Sequence, residues 1–368
     1  MIKRIYTSAL TFFFLMLGCI PAEQENEIAT NAAKAADDIL NWANPGVEKN
    51  CDSIEWDALG RYLQTMVFRI SAGKEEYKET AQSLVTYLMT HAKQGHPDRV
   101  GWGLRQEWDS NSDGSLNAVN TIYTYTSCWI GLALLDARKI GVKGDYDILE
   151  DLVVTLQTHI PSWTSDDGTM MAIRYSDNPN DWMYRVQNVT AYTYLFLVRM
   201  AVEWPKPELL KTAQKYFAYQ KTMQREDNNW SYYDPVAKPP QEISFSSDDL
   251  NHWAMEGVAL YGAYQAIPDA EVKAVGRRCA EALRKTHFHL PDGRLFSDNS
   301  SIGWGVAEAL NLFALVRAVD GDDWIIDLWP ALRKNYLLSD GRWIDHPDNH
   351  QTQSWYACAF ARLAKDYK

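Results

Sequence analysis

The residue types best suited to acid–base chemistry lie in one short segment, Asp248-Asp249-Leu250-Asn251-His252-Trp253. An imidazole exchanges a proton near neutral pH, and a neighbouring amide stabilises developing negative charge by hydrogen bonding. This pairing suits β-elimination on a uronic acid, in which an amide helps to neutralise the carboxylate while the imidazole removes the adjacent proton. We therefore take His252 as the candidate base and Asn251 as a candidate substrate-binding residue.

A second segment, Tyr184-Arg185-Val186-Gln187-Asn188, offers partners for that imidazole. Asn188 is the candidate carboxylate neutraliser, with Arg185 or Arg174 in support, because a guanidinium matches the geometry of a carboxylate. The candidate acid is Tyr184 or Tyr233, and the spacing of the two does not separate them. Helix capping and ordinary ion pairing are the alternative roles for these side chains.

The elements that position these residues recur five times along the chain. A helix-length apolar segment opens each time with amide, imidazole or hydroxyl side chains, and this recurrence is typical of repeat architectures whose helical hairpins bury one another. The segments begin at Asn120, Asn188, Asn251, Ser301 and Gln353. Their polar openings are expected to gather on one rim of a ring.

More amphipathic helices are predicted between these segments. They span 76–93, 146–159, 207–224, 269–286 and 323–336, and further helices are predicted over 54–71 and 28–42. Apolar residues lie nearly all round the helices with polar openings and the helix over 54–71, which predicts an inner ring. They lie on one face of the helices between these, which predicts an outer ring around the first. The predicted fold is all-α, an (α/α)6-like toroid of about twelve helices in six hairpins.

The loops that precede the inner helices carry turn dipeptides ahead of apolar or aromatic residues, the pattern of short β-hairpins. These dipeptides are Asp167-Gly168, Asn228-Asn229, Asp292-Gly293 and Asp340-Gly341. Tryptophans are also frequent in the loops, either to stack on sugar rings or to close the loops: Trp102, Trp108, Trp163, Trp182, Trp230 and Trp343. The predicted substrate-binding set on this rim is Arg174, Asn251, Trp230, Trp253, Asn120, Trp304 and His350.

The Asn251-His252-Trp253 run resembles the Asn-Asn-His-x-Tyr-Trp run of alginate lyases built on (α/α) toroids. The size of the chain and its ring of hairpins resemble toroidal polysaccharide lyases, in particular family 38, whose members act on glucuronan or alginate. The resemblance implies an exported lyase that cleaves an acidic polysaccharide by β-elimination.

Carboxylates on the same rim give a competing interpretation, because glycosidases commonly use a pair of them. The candidates are Asp109, Asp113, Asp166, Asp167, Asp248, Asp249 and Glu308. Asp249 and the Gly303-Trp304 pair resemble unsaturated glucuronyl hydrolases of glycoside hydrolase families 88 and 105, although the arginine of their Arg-Gly-x-x-Trp pattern is missing here. A sugar isomerase of the 2-epimerase type and a non-catalytic glycan-binding lipoprotein are further alternatives.

The formal net charge of −12 and the absence of a basic run beyond the first residues argue against a nucleic-acid ligand. His346 and His350 lie among acidic residues, but their spacing matches no metal motif and favours a substrate-binding edge or a solvated loop. No metal and no cofactor is predicted. The expected partner is an acidic polysaccharide or oligosaccharide.

The first residues predict export. Lys3 and Arg4 precede a short apolar run, so residues 1–18 are interpreted as a signal peptide, and Met16-Leu17-Gly18-Cys19 resembles a lipoprotein box with Cys19 as the lipidated residue. Residues 19–30 are predicted to be a flexible tether and residues 31–368 a single toroidal domain. The protein is therefore predicted to be a monomer in the bacterial periplasm or at the outer membrane, held to the membrane only by its lipid.

Overall fold

The computed structural model describes residues 22–93, 96–110, 113–237, 250–288, 295–296, 304–344 and 346–367. Twelve α-helices in these residues alternate between an outer and an inner position. The outer helices are α1 (Ala22–Lys49), α3 (Lys78–Thr90), α5 (Ile148–Thr158), α7 (Pro207–Met223), α9 (Ala270–His287) and α11 (Trp329–Tyr336). The inner helices are α2 (Trp56–Ser71), α4 (Thr124–Lys139), α6 (Gln187–Glu203), α8 (Leu250–Ala266), α10 (Trp304–Asp320) and α12 (His350–Asp366).

The inner helices form a closed ring. Each one packs against the next in chain order, and α12 packs against α2, which closes the circle. Helix α12 also packs along α1, so the first and last hairpins are joined. The predicted (α/α)6 toroid is confirmed.

Burial explains why the sequence separates into two kinds of helix. Every residue of α2 from Trp56 to Ile70 is buried, as expected for a helix enclosed on all sides. In α9 the buried residues follow the helical period along one face: Val272, Val275, Gly276, Cys279, Ala280 and Leu283. A helix of the first kind needs neighbours all round it, whereas one of the second kind covers the outside of the ring.

Two predicted helix starts are found where the sequence places them. The carboxylate of Asp269 caps α9 by accepting hydrogen bonds from the backbone N–H groups of Glu271 (2.8 Å) and Val272 (3.3 Å). Pro207 occupies the first turn of α7, where its missing N–H is not needed.

The predicted tether over residues 19–30 is wrong from Ala22 onward, because α1 already begins there. The carboxylate of Glu25 forms an ion pair with Arg317 (3.0 Å), and Ile28 is buried against the ring. Both contacts depend on residues distant in sequence. The predicted signal peptide and Cys19 lie outside the described residues.

Longer loops precede the inner helices than follow them, and they share one end of the ring. We call this end, with the first turns of the inner helices, the N-terminal rim. Its predicted β-hairpin is confirmed after α5, where β1 (Ser162–Thr164) pairs antiparallel with β2 (Met171–Ile173). At the later turn, Gly341 has a φ of +78° and Leu337 bridges Trp343. The Asp292-Gly293 turn lies outside the described residues.

The predicted start of α4 at Asn120 is wrong, since the helix begins at Thr124. Asn120 instead has a φ of +67°, a left-handed conformation that interrupts the helical path and that asparagine tolerates better than most residues. Cys128, Cys279 and Cys358 are buried and free. No helix in the described part of the chain has both the length and the hydropathy needed to span a membrane.

Candidate functional site

A fully buried arginine of α2 reaches into the middle of the ring. The Arg61 guanidinium donates hydrogen bonds to Asp57 Oδ2 (2.8 Å) and to the hydroxyl of Tyr125 on α4 (3.0 Å). It also lies 3.3 Å from the centroid of the Trp355 ring on α12. Because these contacts come from three inner helices, Arg61 lies inside the ring rather than in its wall.

Another part of the ring interior carries a buried carboxylate. Glu308 of α10 accepts hydrogen bonds from the Tyr192 hydroxyl on α6 (2.6 Å) and from Asn311 Nδ2 (2.8 Å). The rings of Tyr192 and Tyr125 are 4.9 Å apart, which connects this carboxylate to Arg61. We call Asp57, Arg61, Tyr125, Tyr192 and Glu308 the axial network.

Electrostatics keep Arg61 charged inside the ring. Burial alone lowers the pKa of an arginine, but the oxygens of Tyr125, Asp57 and Glu308 raise the pKa of Arg61 above its ordinary value overall. The pKa of Tyr125 is raised by burial, so its phenol stays protonated. The network therefore presents a fixed positive charge between two carboxylates.

Aromatic rings wall the network. Trp129 lies 4.6 Å from the Arg61 guanidinium, and its ring centroid is 6.0 Å from that of Trp355. Trp304, at the start of α10, stacks parallel to Trp355 with 5.9 Å between ring centroids. Flat apolar faces with a few convergent polar groups are typical of small-ligand sites.

Asp57 is the carboxylate of the network that lies in the first turn of its helix, at the N-terminal rim. Its Oδ2 contacts Arg61 and Gln351 Nε2 (3.3 Å), while its Oδ1 is buried and receives no hydrogen bond from any described residue. Buried carboxylate oxygens usually have a partner, so this oxygen is a candidate for contact with a ligand.

His252 and Asn188, the predicted base and neutraliser, lie on neighbouring helices at the same rim. Asn188 is buried, and its Nδ2 contacts Met255 Sδ (3.5 Å), one helical turn after His252. The imidazole of His252 packs against the Tyr232 ring, with centroids 4.3 Å apart. The structure thus brings the two elements together.

Tyr184 and Tyr233, the candidate acids, lie beside this pair. Their rings are 6.1 Å apart, and the Tyr184 hydroxyl donates to Asp113 Oδ2 (3.0 Å). Burial raises the pKa of both phenols, so each is protonated at neutral pH. The structure gives no reason to prefer one.

The two arginines expected to neutralise a substrate carboxylate are already engaged. Arg185 forms an ion pair with Asp234 (3.1 Å) and lies over the Trp163 ring. Arg174 donates to the backbone carbonyl of Tyr184 (3.2 Å), and burial lowers its pKa, followed by repulsion from Arg185. A uronate carboxylate would have to displace these contacts.

Several predicted sugar-binding residues serve the packing of the rim instead. Trp230 and Trp253 are buried, and the Trp253 indole N–H donates to the Trp230 carbonyl (3.0 Å). Asn251 is buried against α10, where its side chain lies next to Gly305. Neither tryptophan offers a free face for stacking.

Asn120 and His350, also predicted to bind substrate, contact other protein groups. The Asn120 carbonyl contacts His96 Nε2 (3.1 Å) within its loop. His350 Nδ1 contacts the Tyr62 hydroxyl (3.1 Å), and its ring packs on Trp42 of the outer helix α1 (4.5 Å). Trp304 is the member of the predicted set that lies beside the axial network.

Sequence reasoning missed Asp57, Arg61, Trp129 and Trp355 as site residues. A usable signal exists, because Asp57 and Arg61 are charged residues in a helix that otherwise reads as fully buried. Charges in such a helix must be paired inside the protein, which marks them as members of an internal polar site. Within the described residues, no group of three or more His, Cys, Asp or Glu side chains is arranged to hold a metal ion.

No protein-family model matches the chain, and no curated protein matches it in sequence. Its fold is similar to solved structures at low identity. A glycoside hydrolase family 76 mannosidase from Bacteroides thetaiotaomicron VPI-5482 is 13% identical, with a TM-score of 0.64 over 92% of this chain and 98% of that one.

Two further structures are similar. An inactive variant of the family 76 α-1,6-mannanase from Salegentibacter sp. HEL1_6, with two neighbouring aspartates replaced and α-1,6-mannotriose bound, has 12% identity and a TM-score of 0.65, over 91% of this chain and 99% of that one. A D-mannose isomerase has 16% identity and a TM-score of 0.62, over 85% and 86% of the two chains. At these identities the similarity establishes the toroidal fold.

These comparisons correct the lyase interpretation. The similar structures are mannan-degrading hydrolases and a sugar isomerase, so both the resemblance to polysaccharide lyase family 38 and the predicted β-elimination of an acidic polysaccharide are wrong. The physical reason is visible at the rim, where Arg185 and Arg174, the two guanidinium groups predicted to bind a uronate, are held by protein groups.

Proposed function

We propose that this protein is a glycoside hydrolase that cleaves a neutral, mannose-containing polysaccharide at the N-terminal rim of its ring. The observation that carries the proposal is the axial network, in which the buried carboxylates of Asp57 and Glu308 flank a charged Arg61 between tryptophan rings. The similarity to family 76 mannan hydrolases agrees with this chemistry.

Glycoside hydrolysis commonly needs two carboxyl groups. One protonates the departing glycosidic oxygen, and the other activates water or attacks the sugar directly. We assign Asp57 to this pair because its Oδ1 has no partner among the described residues. We assign Glu308 as the second, since it is the other buried carboxylate of the network.

Arg61 and the aromatic rings have supporting roles in this proposal. Arg61 holds Asp57 in place through the 2.8 Å contact. Trp304, which is half-buried, supplies a flat face for the apolar side of a sugar ring, and buried Trp355 supports it by stacking on it from one side and on Arg61 from the other. A neutral sugar requires no dedicated guanidinium, which agrees with the engagement of Arg185 and Arg174.

An isomerase of the kind found among the similar structures is less well supported. That chemistry needs two histidines that face one cavity, and the pair to consider here is His252 and His350, the two histidines predicted as site residues. His350 packs between Tyr62 and Trp42, against the outer helix α1.

Export with a lipid anchor at Cys19 remains part of the proposal. It is supported by the sequence of residues 1–19, which lie outside the described residues. A secreted or surface-bound hydrolase would meet its polysaccharide outside the cell.

The test is the release of reducing ends from α-1,6-linked mannan by the purified protein and by Asp57→Asn and Glu308→Gln variants. The proposal predicts activity in the wild type and a loss of at least about a hundredfold in each variant, since each removes one of the two carboxyl groups. Circular dichroism and a melting curve would show whether each variant remains folded.

A second pair of variants separates this assignment from another one. Asp248 and Asp249 are neighbouring aspartates that directly precede α8 in the sequence, and they lie outside the described residues. If Asp248→Asn and Asp249→Asn abolish hydrolysis while folded Asp57→Asn and Glu308→Gln proteins keep it, the hydrolase proposal stands and our assignment of its carboxylates is wrong.

A further inference from the structure

Exposed apolar side chains are concentrated on two loops of the N-terminal rim. Of the nine large hydrophobic side chains that are exposed among the described residues, five lie on the loops that precede α4 and α6. They are Trp108, Leu116, Val119, Trp182 and Met183. Scattered exposed hydrophobic residues are ordinary, but such a local concentration usually marks a binding surface.

Two of these residues differ from the other tryptophans in the rim loops. Trp102, Trp230 and Trp343 are buried and support the packing of their loops. Trp108 is 43% exposed and Trp182 is 39% exposed. An indole that contributes little to packing is available to an external ligand.

Hydrogen bonds tie the two loops together beneath these indoles. Asn117 pairs through its backbone with Trp108 (2.9 and 3.1 Å), and its Nδ2 donates to Asp181 Oδ2 (2.7 Å). Asp181 immediately precedes Trp182. Asn117 therefore links the backbone of Trp108 to the side chain of Asp181, and it holds the two loops together as one unit.

The same unit is joined to the ring. Tyr123, the residue before α4, bridges Ser176 in the second loop, and Val186, the residue before α6, bridges Tyr233. Helices α4 and α6 carry Tyr125 and Tyr192 of the axial network. The exposed indoles thus lie on the part of the rim that leads to the proposed site.

We propose that Trp108 and Trp182 form a platform that binds sugar units of the polysaccharide chain beside the site of cleavage. The proposal rests on the hydrolase function given above for its choice of ligand. An oligosaccharide fits this surface better than a protein does, because each indole can stack on the apolar face of one sugar ring. Carboxylates such as those of Asp109 and Asp113, on the same loop as Trp108, can accept hydrogen bonds from the hydroxyl groups.

The experiment compares Trp108→Ala, Trp182→Ala and the double variant with wild type and with Trp204→Ala. Trp204 follows α6 at the opposite end of the ring, where it packs on Arg138, and serves as the matched control. Affinity electrophoresis in gels that contain α-1,6-mannan measures binding, and hydrolysis of mannan and of a short mannooligosaccharide is followed in parallel.

Each platform variant is expected to bind mannan about tenfold more weakly, the effect of losing one well-packed aromatic contact. KM for mannan should rise while kcat changes little, and cleavage of the short substrate should be nearly unaffected. Trp204→Ala should bind as wild type does. If mannan retards the wild type but is not hydrolysed, and the double variant is no longer retarded, the platform is supported and the hydrolase proposal is refuted.

Two results would overturn the platform. The first is a folded double variant that binds and hydrolyses mannan as the wild type does. The second is a wild-type protein that is retarded by none of mannan, laminarin and alginate. Hydrolysis of mannan by the wild type in either case would leave the proposed function in place, so the two proposals fail separately.

Discussion

Replacing Arg61 by methionine tests whether the axial network is a paired, buried charge system. Methionine keeps much of the length and apolar contact of the arginine stem but removes the guanidinium. Asp57 would then lose its 2.8 Å ion pair and keep only Gln351, at 3.3 Å, among the contacts described for its carboxylate oxygens. Breaking one partner of a buried pair typically costs about 3–5 kcal/mol, because the remaining charge stays buried without compensation.

The assay is equilibrium unfolding in urea, followed by tryptophan fluorescence and circular dichroism. Arg61→Met should lower the free energy of unfolding by about 3–5 kcal/mol, and the Asp57→Asn/Arg61→Met double variant should recover much of that loss since neither charge remains. Arg333→Met is the control, because Arg333 forms an exposed pair with Glu27 (3.1 Å) whose loss should cost less than about 1 kcal/mol.

Two outcomes would refute this reasoning. A loss below about 1 kcal/mol in Arg61→Met would mean that Asp57 is solvated or paired in some other way. A double variant whose loss equals the sum of the two single losses would mean that the two charges are not coupled.

Three further predictions concern packing, titration and thiol reactivity. A Cβ at Gly103 would collide with the backbone carbonyl of Thr121, so Gly103→Ala should lower the melting temperature strongly. Gly114→Ala should lower it far less, because a Cβ there meets no atom and only strains a φ of +88°. Burial lowers the pKa of His350, so its neutral form stabilises the fold above about pH 6.5 and that contribution is lost as the pH falls. His350→Gln should therefore flatten the acid side of a plot of melting temperature against pH, and an unchanged slope would contradict this. Burial raises the pKa of Cys128 and Cys358 to about 12. An alkylating reagent at pH 8 should therefore label neither thiol until denaturant is added, as judged by peptide mapping. Rapid labelling of the native protein would contradict their burial.

The sequence was sufficient to predict the ring because the apolar pattern of the inner helices is local information. Helices such as α2 and α6 are apolar nearly all round, and this property alone requires neighbours on every side. The start of α1 could not be predicted in the same way. Its first turns are polar and are held by contacts such as that between Glu25 and Arg317, which the ring brings together from opposite ends of the chain.

The candidate site was predicted only in part. The polar openings of the inner helices indicated the correct end of the ring, and His252 and Asn188 do lie there on adjacent helices. Their proposed chemistry depended on Arg185 being free, whereas it is paired with Asp234, a contact that no spacing rule reveals. Asp57 and Arg61 lie one turn apart on α2, and their charges in a buried helix could have marked them, but their partners on α4 and α12 are distant in sequence and appear only in the fold.

Product analysis after incubation with α-1,6-mannan in oxygen-18-labelled water is the most direct test of the central claim that the ring houses a glycoside hydrolase. Hydrolysis adds one water across each cleaved bond, so we expect saturated mannooligosaccharides in which each newly formed reducing end carries one labelled oxygen, and no such products from folded Asp57→Asn protein. Unlabelled products with an unsaturated end, or no cleavage by wild-type protein, would contradict the account.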